Sequence, residues 1–505
     1  MVIETPAVRH DATASRRGLA AHPAGLSTLF FTELWERFSY YGMRALLTLF
    51  MVAAIADGGL GFTTAEAGRI YGNYTMAVYM LAIPGGFIAE RLLGARRAVL
   101  IGGTMIALGH FALAWPTQTT FYLGLVLIAL GTGLFKPNIS ALVGALYEKS
   151  DTRRDAGFSI FYMGINVGGF LAPIATGFLA QSSIFKSWLE TNGFDPAKSW
   201  HWGFAAAGVG MTIALAIFLR QARELPDTRD ASVRLSSDAR RDVLRGGAMT
   251  VLGTLALFGL ALLSDVDGWT WLRWLFLALP VAGILYAARQ PGDDAQRLAA
   301  IGVLFIAAMT FWAVFEQAGT TIALFADQLT RGDIAGVAFP SAWFQSINPV
   351  FVILLTPMFA ALWMRLRDRQ PAPAIKFAVG LVLLSASFLL MVPAATLAAS
   401  GRVSPLWLVG LFLLQTMGEL LISPVGLSTM TKLAPPRMTG FVLGLWFLAS
   451  AFGNKLAGVM GGGFAGSDPS ALASGFLTQA GVVALAAALL FAAAPWVRKL
   501  SASAD

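Results

Sequence analysis

The chain has 505 residues, of which 56% are hydrophobic and only 13% charged. Soluble domains carry about 25% charged residues, so this composition excludes an ordinary soluble protein and describes a polytopic membrane protein. The lack of cysteine excludes disulfides and thiolate metal sites, and basic loops on the cytoplasmic side, not nucleic-acid binding, account for the net charge of +8. Residues 1–25 read as a polar tail and not as a cleaved signal peptide. They lack a basic start followed by a short apolar core and a small-residue cleavage site.

A spanning helix needs about 20 mostly apolar residues. Such segments fall near 27–53, 67–89, 98–115, 120–146, 156–181, 202–220, 246–264, 271–288, 298–325, 341–364, 374–396, 405–430, 438–460 and 473–496, which predicts fourteen transmembrane helices. With the N-terminus placed inside, 26 of the 36 Lys and Arg residues lie on the inner side and 4 in outer loops. That bias predicts cytoplasmic termini in a cell inner (plasma) membrane protein.

The polar stretch 222–245 reads as a cytoplasmic linker between a first six-helix bundle, 26–221, and the rest. A hairpin at 246–289 follows, then a second bundle at 290–497 and a short tail at 498–505. Clustered arginines recur after the second helix of each half, in "GGFIAERLLGARR" (85–97) and "FAALWMRLRDRQ" (359–370), which suits two related halves. Two six-helix halves with a G-x-x-x-[DE]-R-x-x-G-x-R-R loop resemble the major facilitator superfamily, although Glu90 stands where aspartate is commoner.

The first span carries "ELWERFSYYGMR" (33–44). A charge at the bilayer centre costs at least about 2.5–3.5 kcal/mol, so its four charges need a reason. Glu33, Glu36, Arg37, Tyr40, Tyr41 and Arg44 occupy one arc of roughly 140° on a helix. That stripe must face protein or a water-filled cavity. An ion-pair network that only locks helices together explains its neutrality but not its tyrosines.

Further polar groups follow: Asn73, Tyr74 and Tyr79 in span two, Lys136 beside Pro137 in span four, and Asn166 in span five. Spans nine and ten carry Glu316 and Asn348, span twelve Glu419 and Ser423, and span thirteen Trp446 and Lys455. Arg37, Arg44 and Lys136 make one half mostly basic, while Glu316 and Glu419 make the other acidic. A cavity between such walls suits a zwitterion, with its carboxylate at Arg44 or Lys136 and its ammonium at Glu419. Glu316 is expected to pair across the cavity with a basic group, Lys136 first, in one state of the transport cycle.

"ELWERFSYYG", "GTGLFKPN", "DAGFSIFYMGINVG" and "FWAVFEQ" resemble the proton-dependent oligopeptide transporter family over roughly residues 25–495. The hairpin near 246–288 is similar to the extra helices of bacterial members. The resemblance implies proton-coupled symport of di- and tripeptides, with protons as coupling ion, the lipid bilayer as setting, and no cofactor, nucleotide or nucleic acid. It implies proton-coupling roles for Glu33, Glu36, Arg37, Lys136 and Glu316. It implies pocket roles for Tyr40, Tyr41, Arg44, Tyr79 (with Tyr74 as its rival), Lys136, Asn166, Glu316, Asn348, Glu419, Ser423 and Trp446.

Plainer readings stand beside these. Tyr74, Tyr79 and Trp446 suit packing, and Asn166 and Asn348 suit helix–helix hydrogen bonding. Lys455 is expected to snorkel to the outer interface, and Asp57, Glu66 and Asp327 to be solvated loop charges. The glycines at 461–463 read as a turn, since no Walker lysine follows. The four histidines make no metal-ligand pattern. Rival functions are the same fold carrying nitrate or a drug-like anion, a membrane-embedded enzyme, and a non-transporting sensor. Glu419 argues against nitrate, which has no ammonium, and the mid-span acids paired with bases argue against the enzyme.

Overall fold

The structure, a computed structural model, describes residues 22–148, 153–222, 237–266, 293–334, 336–434, 439–464 and 468–502, with scattered positions at 151, 225–226 and between 271 and 289. Apart from one short antiparallel pair, Asp333–Ile334 with Val337–Ala338, the regular structure among these residues is helical. Ten of the described helices are long and apolar enough to cross a membrane. The first helix, α1 (Gly25–Val52), is not among the ten because of its charges, but 20 of its residues are buried within the protein.

The N-terminal half consists of α1, α2 (Thr64–Met80) running on through α3 (Ala82–Ile88), α4 (Ala95–Leu113), α5 (Gln118–Ala145), α6 (Arg154–Gln181) and α8 (Ser199–Gln221), with a short surface helix α7 (Ser183–Thr191). Within it α1 packs on α6 and α8, and α4 on α5 and α8. Thr63 and Glu66 start α2 with a reciprocal capping box, so Glu66 is a helix cap and not a free loop charge. The arginine loop turns at Gly94, whose φ of 78° suits a residue without Cβ.

Helix α9 (Ser237–Leu263) is the first arm of the hairpin. It begins inside the segment read as linker and lies against α2 and α3. The second arm lies largely outside the described residues.

The C-terminal half consists of α10 (Asp293–Phe315), α11 (Thr321–Gln328), α12 (Ile347–Leu366), α13 (Pro373–Ala398), α14 (Leu406–Leu433), α15 (Thr439–Gly462) and α16 (Pro469–Ala502). Span nine is not one continuous helix, as its apolar run suggests. It breaks into a 3-10 turn over Glu316–Gly319 and resumes as α11. Backbone carbonyls freed at membrane depth need partners, and the Thr48 hydroxyl donates to the Gly319 carbonyl at 2.6 Å while the Gln345 amide donates to that of Ala318.

The halves meet where α2 lies on α15, α6 on α12, and α1 on α11. The seam is tightest near the face opposite the termini, here called the distal face. There a Cβ added to Gly72 would stand 3.0 Å from the Lys455 carbonyl oxygen, so glycine permits the close approach. Hydrogen bonds crossing the seam gather at the same end: Gln181 to Ser341 at 2.9 Å, Trp343 to the Ile174 carbonyl at 3.1 Å, and Ser346 to the Phe170 carbonyl at 2.8 Å. Towards the terminal face Leu354, Met358 and Met364 of α12 are exposed. The halves are therefore closed distally.

Two sequence expectations are corrected here. Asp327 is not a solvated loop charge, because it accepts hydrogen bonds from Gln181 across the seam and from Ser341. Lys455 does not snorkel: it is 6% exposed and forms a buried ion pair with Asp265 at 2.5 Å.

Candidate functional site

The polar stripe of α1 is turned inward as its periodicity requires, with Glu33, Glu36 and Arg37 all buried. The Arg37 guanidinium forks onto Glu36, donating from Nε to Oε2 at 2.5 Å and from Nη2 to Oε1 at 2.8 Å. Its Nε also lies 3.2 Å from Glu33 Oε1, one turn back. Two carboxylates thus share one guanidinium, and the second oxygen of Glu33 has no hydrogen-bond partner among the described residues. The same guanidinium sits 5.1 Å from the ring centre of Tyr40 and 6.0 Å from that of Tyr41.

Lys136 is carried by α5 next to Pro137, which withholds a backbone donor from the helix. Its ammonium lies 4.1 Å from the ring centre of Tyr79 and forms no salt bridge among the described residues. Formally, the Glu33–Glu36–Arg37 group carries one excess negative charge, and Lys136 on the neighbouring helix would balance it.

The expected Glu316–Lys136 pair is not what the structure holds. Glu316 pairs across the seam with Arg44. The break at Glu316–Gly319 lies against α1, and that places Glu316 beside Arg44 rather than Lys136. Arg44 also donates from Nε to the Tyr71 hydroxyl at 2.7 Å. Tyr71 was missed in the sequence although "YGNY" puts it on the face of Tyr74, three residues on.

A cavity between the halves is lined by Tyr41, Arg44, Tyr79, Glu316, Asn348 and Glu419, together with Trp312 and Gln345, which the sequence reading did not single out. Tyr79 lines it and Tyr74 does not; the Tyr74 hydroxyl is buried without a partner among the described residues. Glu419 accepts from the Asn348 amide at 3.0 Å, the same amide that donates to Thr416 at 2.9 Å. Glu419 forms no salt bridge among the described residues. The cavity therefore offers a guanidinium held by a carboxylate on one side and, on the other, a carboxylate without a cation among the described residues.

Tyr40, Lys136, Asn166, Ser423 and Trp446 are not among the lining residues. Tyr40 stacks edge-on against Tyr41, and Lys136 reaches the cavity wall through Tyr79. Asn166 donates to the Tyr162 carbonyl of its own helix at 3.0 Å. The Ser423 hydroxyl is buried without a partner among the described residues. The Trp446 ring fills the space that Gly426 leaves by lacking a Cβ.

A family model described as the POT family matches residues 96–470. The chain is 42% identical over 472 residues to the peptide transporter YePEPT of Yersinia enterocolitica, covering 89% of each chain. It is 39% identical over 449 residues to a di-/tripeptide transporter of Lactococcus lactis, covering 85% of this chain and 87% of that one. Among solved structures, a crystal structure of peptide transporter POT, as a point mutant with alafosfalin, aligns at TM-score 0.82 and 37% identity over 96% of this chain and 97% of that one. A POT family transporter in complex with 5-aminolevulinic acid aligns at 0.79 and 30%, covering 95% and 98%.

Proposed function

This chain belongs to the POT family, and from that premise we propose that it imports di- and tripeptides by symport with protons. It is a transporter of the major facilitator type and not an enzyme. The observation that carries the reading is the Arg44–Glu316 pair, which bridges the halves in a cavity whose other wall holds Glu419 without a cation. A peptide's carboxylate takes the place of Glu316 on Arg44, and its ammonium goes to Glu419. The uncompensated carboxylate disfavours a bare anion such as nitrate. 5-Aminolevulinic acid, held by a relative, likewise carries both an amino and a carboxyl group.

With its termini in the cytoplasm of a plasma-membrane protein, the distal face is the outer one, and the halves are closed on the outer side. A proton on Glu316 removes its charge and frees Arg44, so protonation and peptide binding both release the tie that holds the halves. Each proton moving inward gains roughly 2.3 kcal/mol per 100 mV. Glu33, Glu36, Arg37 and Lys136 form the second proton-linked group. Their charges balance only together, so a change of protonation at one alters the pairing of the others. Asn166, Ser423 and Trp446 contact the peptide when the cavity widens towards the terminal face.

Labelled dialanine and liposomes containing the purified protein test the reading. Accumulation against the peptide gradient is expected under an inwardly directed proton gradient, with loss on adding a protonophore. Accumulation that ignores the proton gradient, or folded protein that neither accumulates nor exchanges dialanine, would overturn it.

A further inference from the structure

The hairpin inserted between the halves has a tip whose chemistry the transport site does not use. Just past the end of α9, Asp265 is 6% exposed at its side chain. Its Oδ2 accepts from Lys455 Nζ at 2.5 Å and from Asn73 Nδ2 at 2.9 Å. Lys455 Nζ also donates to Asn73 Oδ1 at 2.5 Å. The three side chains come from three separate parts of the fold: the hairpin, α2 of the N-terminal half and α15 of the C-terminal half.

We propose that the hairpin is a strap across the distal seam, with Asp265 clasping Lys455 only while α2 and α15 are in contact. Helix α9 belongs mechanically to the N-terminal half, because it lies along α2 and α3 and Gly247 abuts the Phe87 ring. When the halves separate distally, Asp265 and Asn73 travel together and Lys455 leaves with α15. The contact between α2 and α15 is built on glycines, Gly68 and Gly72 facing Gly458. Small residues allow a close fit but supply little attraction of their own beyond van der Waals contact. The buried ion pair adds a charged tie at the same level of the seam as Gly72. Opening the face separates Lys455 from Asp265, and the attraction between the two charges is lost. The strap thus favours the distally closed state and sets how readily the empty carrier returns to the opposite one.

The chain contains no cysteine, so thiol labels attach only at cysteines introduced in pairs for the test. Spin labels at Ala65→Cys on α2 and Ser470→Cys on α16, both exposed near the distal face, report the opening as a distance distribution. Asp265→Asn and Lys455→Met are each expected to raise the ratio of open to closed populations by about tenfold. The double variant is expected to shift the ratio less than either single, since it leaves neither charge buried without its partner. Lys455→Met carries the test if Asp265→Asn fails to fold. Unchanged distances in either folded variant would overturn the proposal. A lower melting temperature with unchanged distances would overturn it too, by showing that the cluster only anchors the hairpin.

Discussion

Arg44→Ala tests the seam-bridging pair. Arg44 makes two charge-assisted contacts, with Glu316 and with the Tyr71 hydroxyl at 2.7 Å. The substitution removes both and leaves Glu316, 3% exposed, as a buried carboxylate without its cation. Removing one partner of a buried pair costs about 3–5 kcal/mol. Adding Glu316→Gln removes the orphaned charge and leaves a neutral amide and hydroxyl unsatisfied, at about 1–3 kcal/mol. The double variant should therefore be about 2 kcal/mol more stable than Arg44→Ala alone. At about 2–4 °C per kcal/mol for halves of this size, that is a recovery of roughly 4–8 °C. Thermal unfolding in detergent, followed by the fluorescence of the 14 tryptophans, measures it. Neither variant should accumulate dialanine. Additive losses, with the double variant less stable than Arg44→Ala, would show that the two side chains do not depend on each other and would refute the pairing.

Glu36→Gln or Glu33→Gln should reduce proton-driven accumulation of peptide more than counterflow, because exchange needs no net proton movement; equal loss in both assays assigns these acids to folding or to binding. Glu419→Gln should weaken the affinity of peptides with a free amino terminus by about tenfold or more while sparing N-acetylated ones, and titration of both ligand types decides it. Asp468, an exposed cap on α16, accepts from the Ser470 and Ala471 amides at 3.0 Å and the Ser470 hydroxyl at 2.7 Å, and these bonds hold its carboxyl below the usual range. A depressed value means the cap is intact above the ordinary aspartate pKa and is lost as pH falls through the folded value. Asp468→Ala at neutral pH should therefore lower the hydrogen-exchange protection of the Ser470 and Ala471 amides, and acid should lower the same protection in the parent protein, each measured against the intrinsic exchange rate at that pH.

What the sequence determines by itself is which side chains cannot face lipid. The period of α1 puts six polar residues on one stripe, and the cost of a charge in hydrocarbon forces that stripe inward. The helical class, the two halves and the opposed basic and acidic walls follow from apolar runs and from counting charges. The cavity between the halves is lined by Tyr41, Arg44, Tyr79, Glu316, Asn348 and Glu419.

Pairing was decided only by the tertiary structure. Formal neutrality is satisfied equally by Glu316 with Lys136 or with Arg44, and the break after Phe315 selects Arg44 by setting Glu316 against α1. The sequence does not show which groups make that break tolerable, because its freed carbonyls are satisfied by Thr48 and Gln345 from elsewhere in the chain. Lys455 looked like a snorkelling lysine because Asp265 lies 190 residues away in sequence. Asp327 looked solvated because Gln181, one of its donors, sits on the other half. A sequence shows the charge that needs a partner, but when the partner comes from a distant helix, only the packing of the halves determines which one it is.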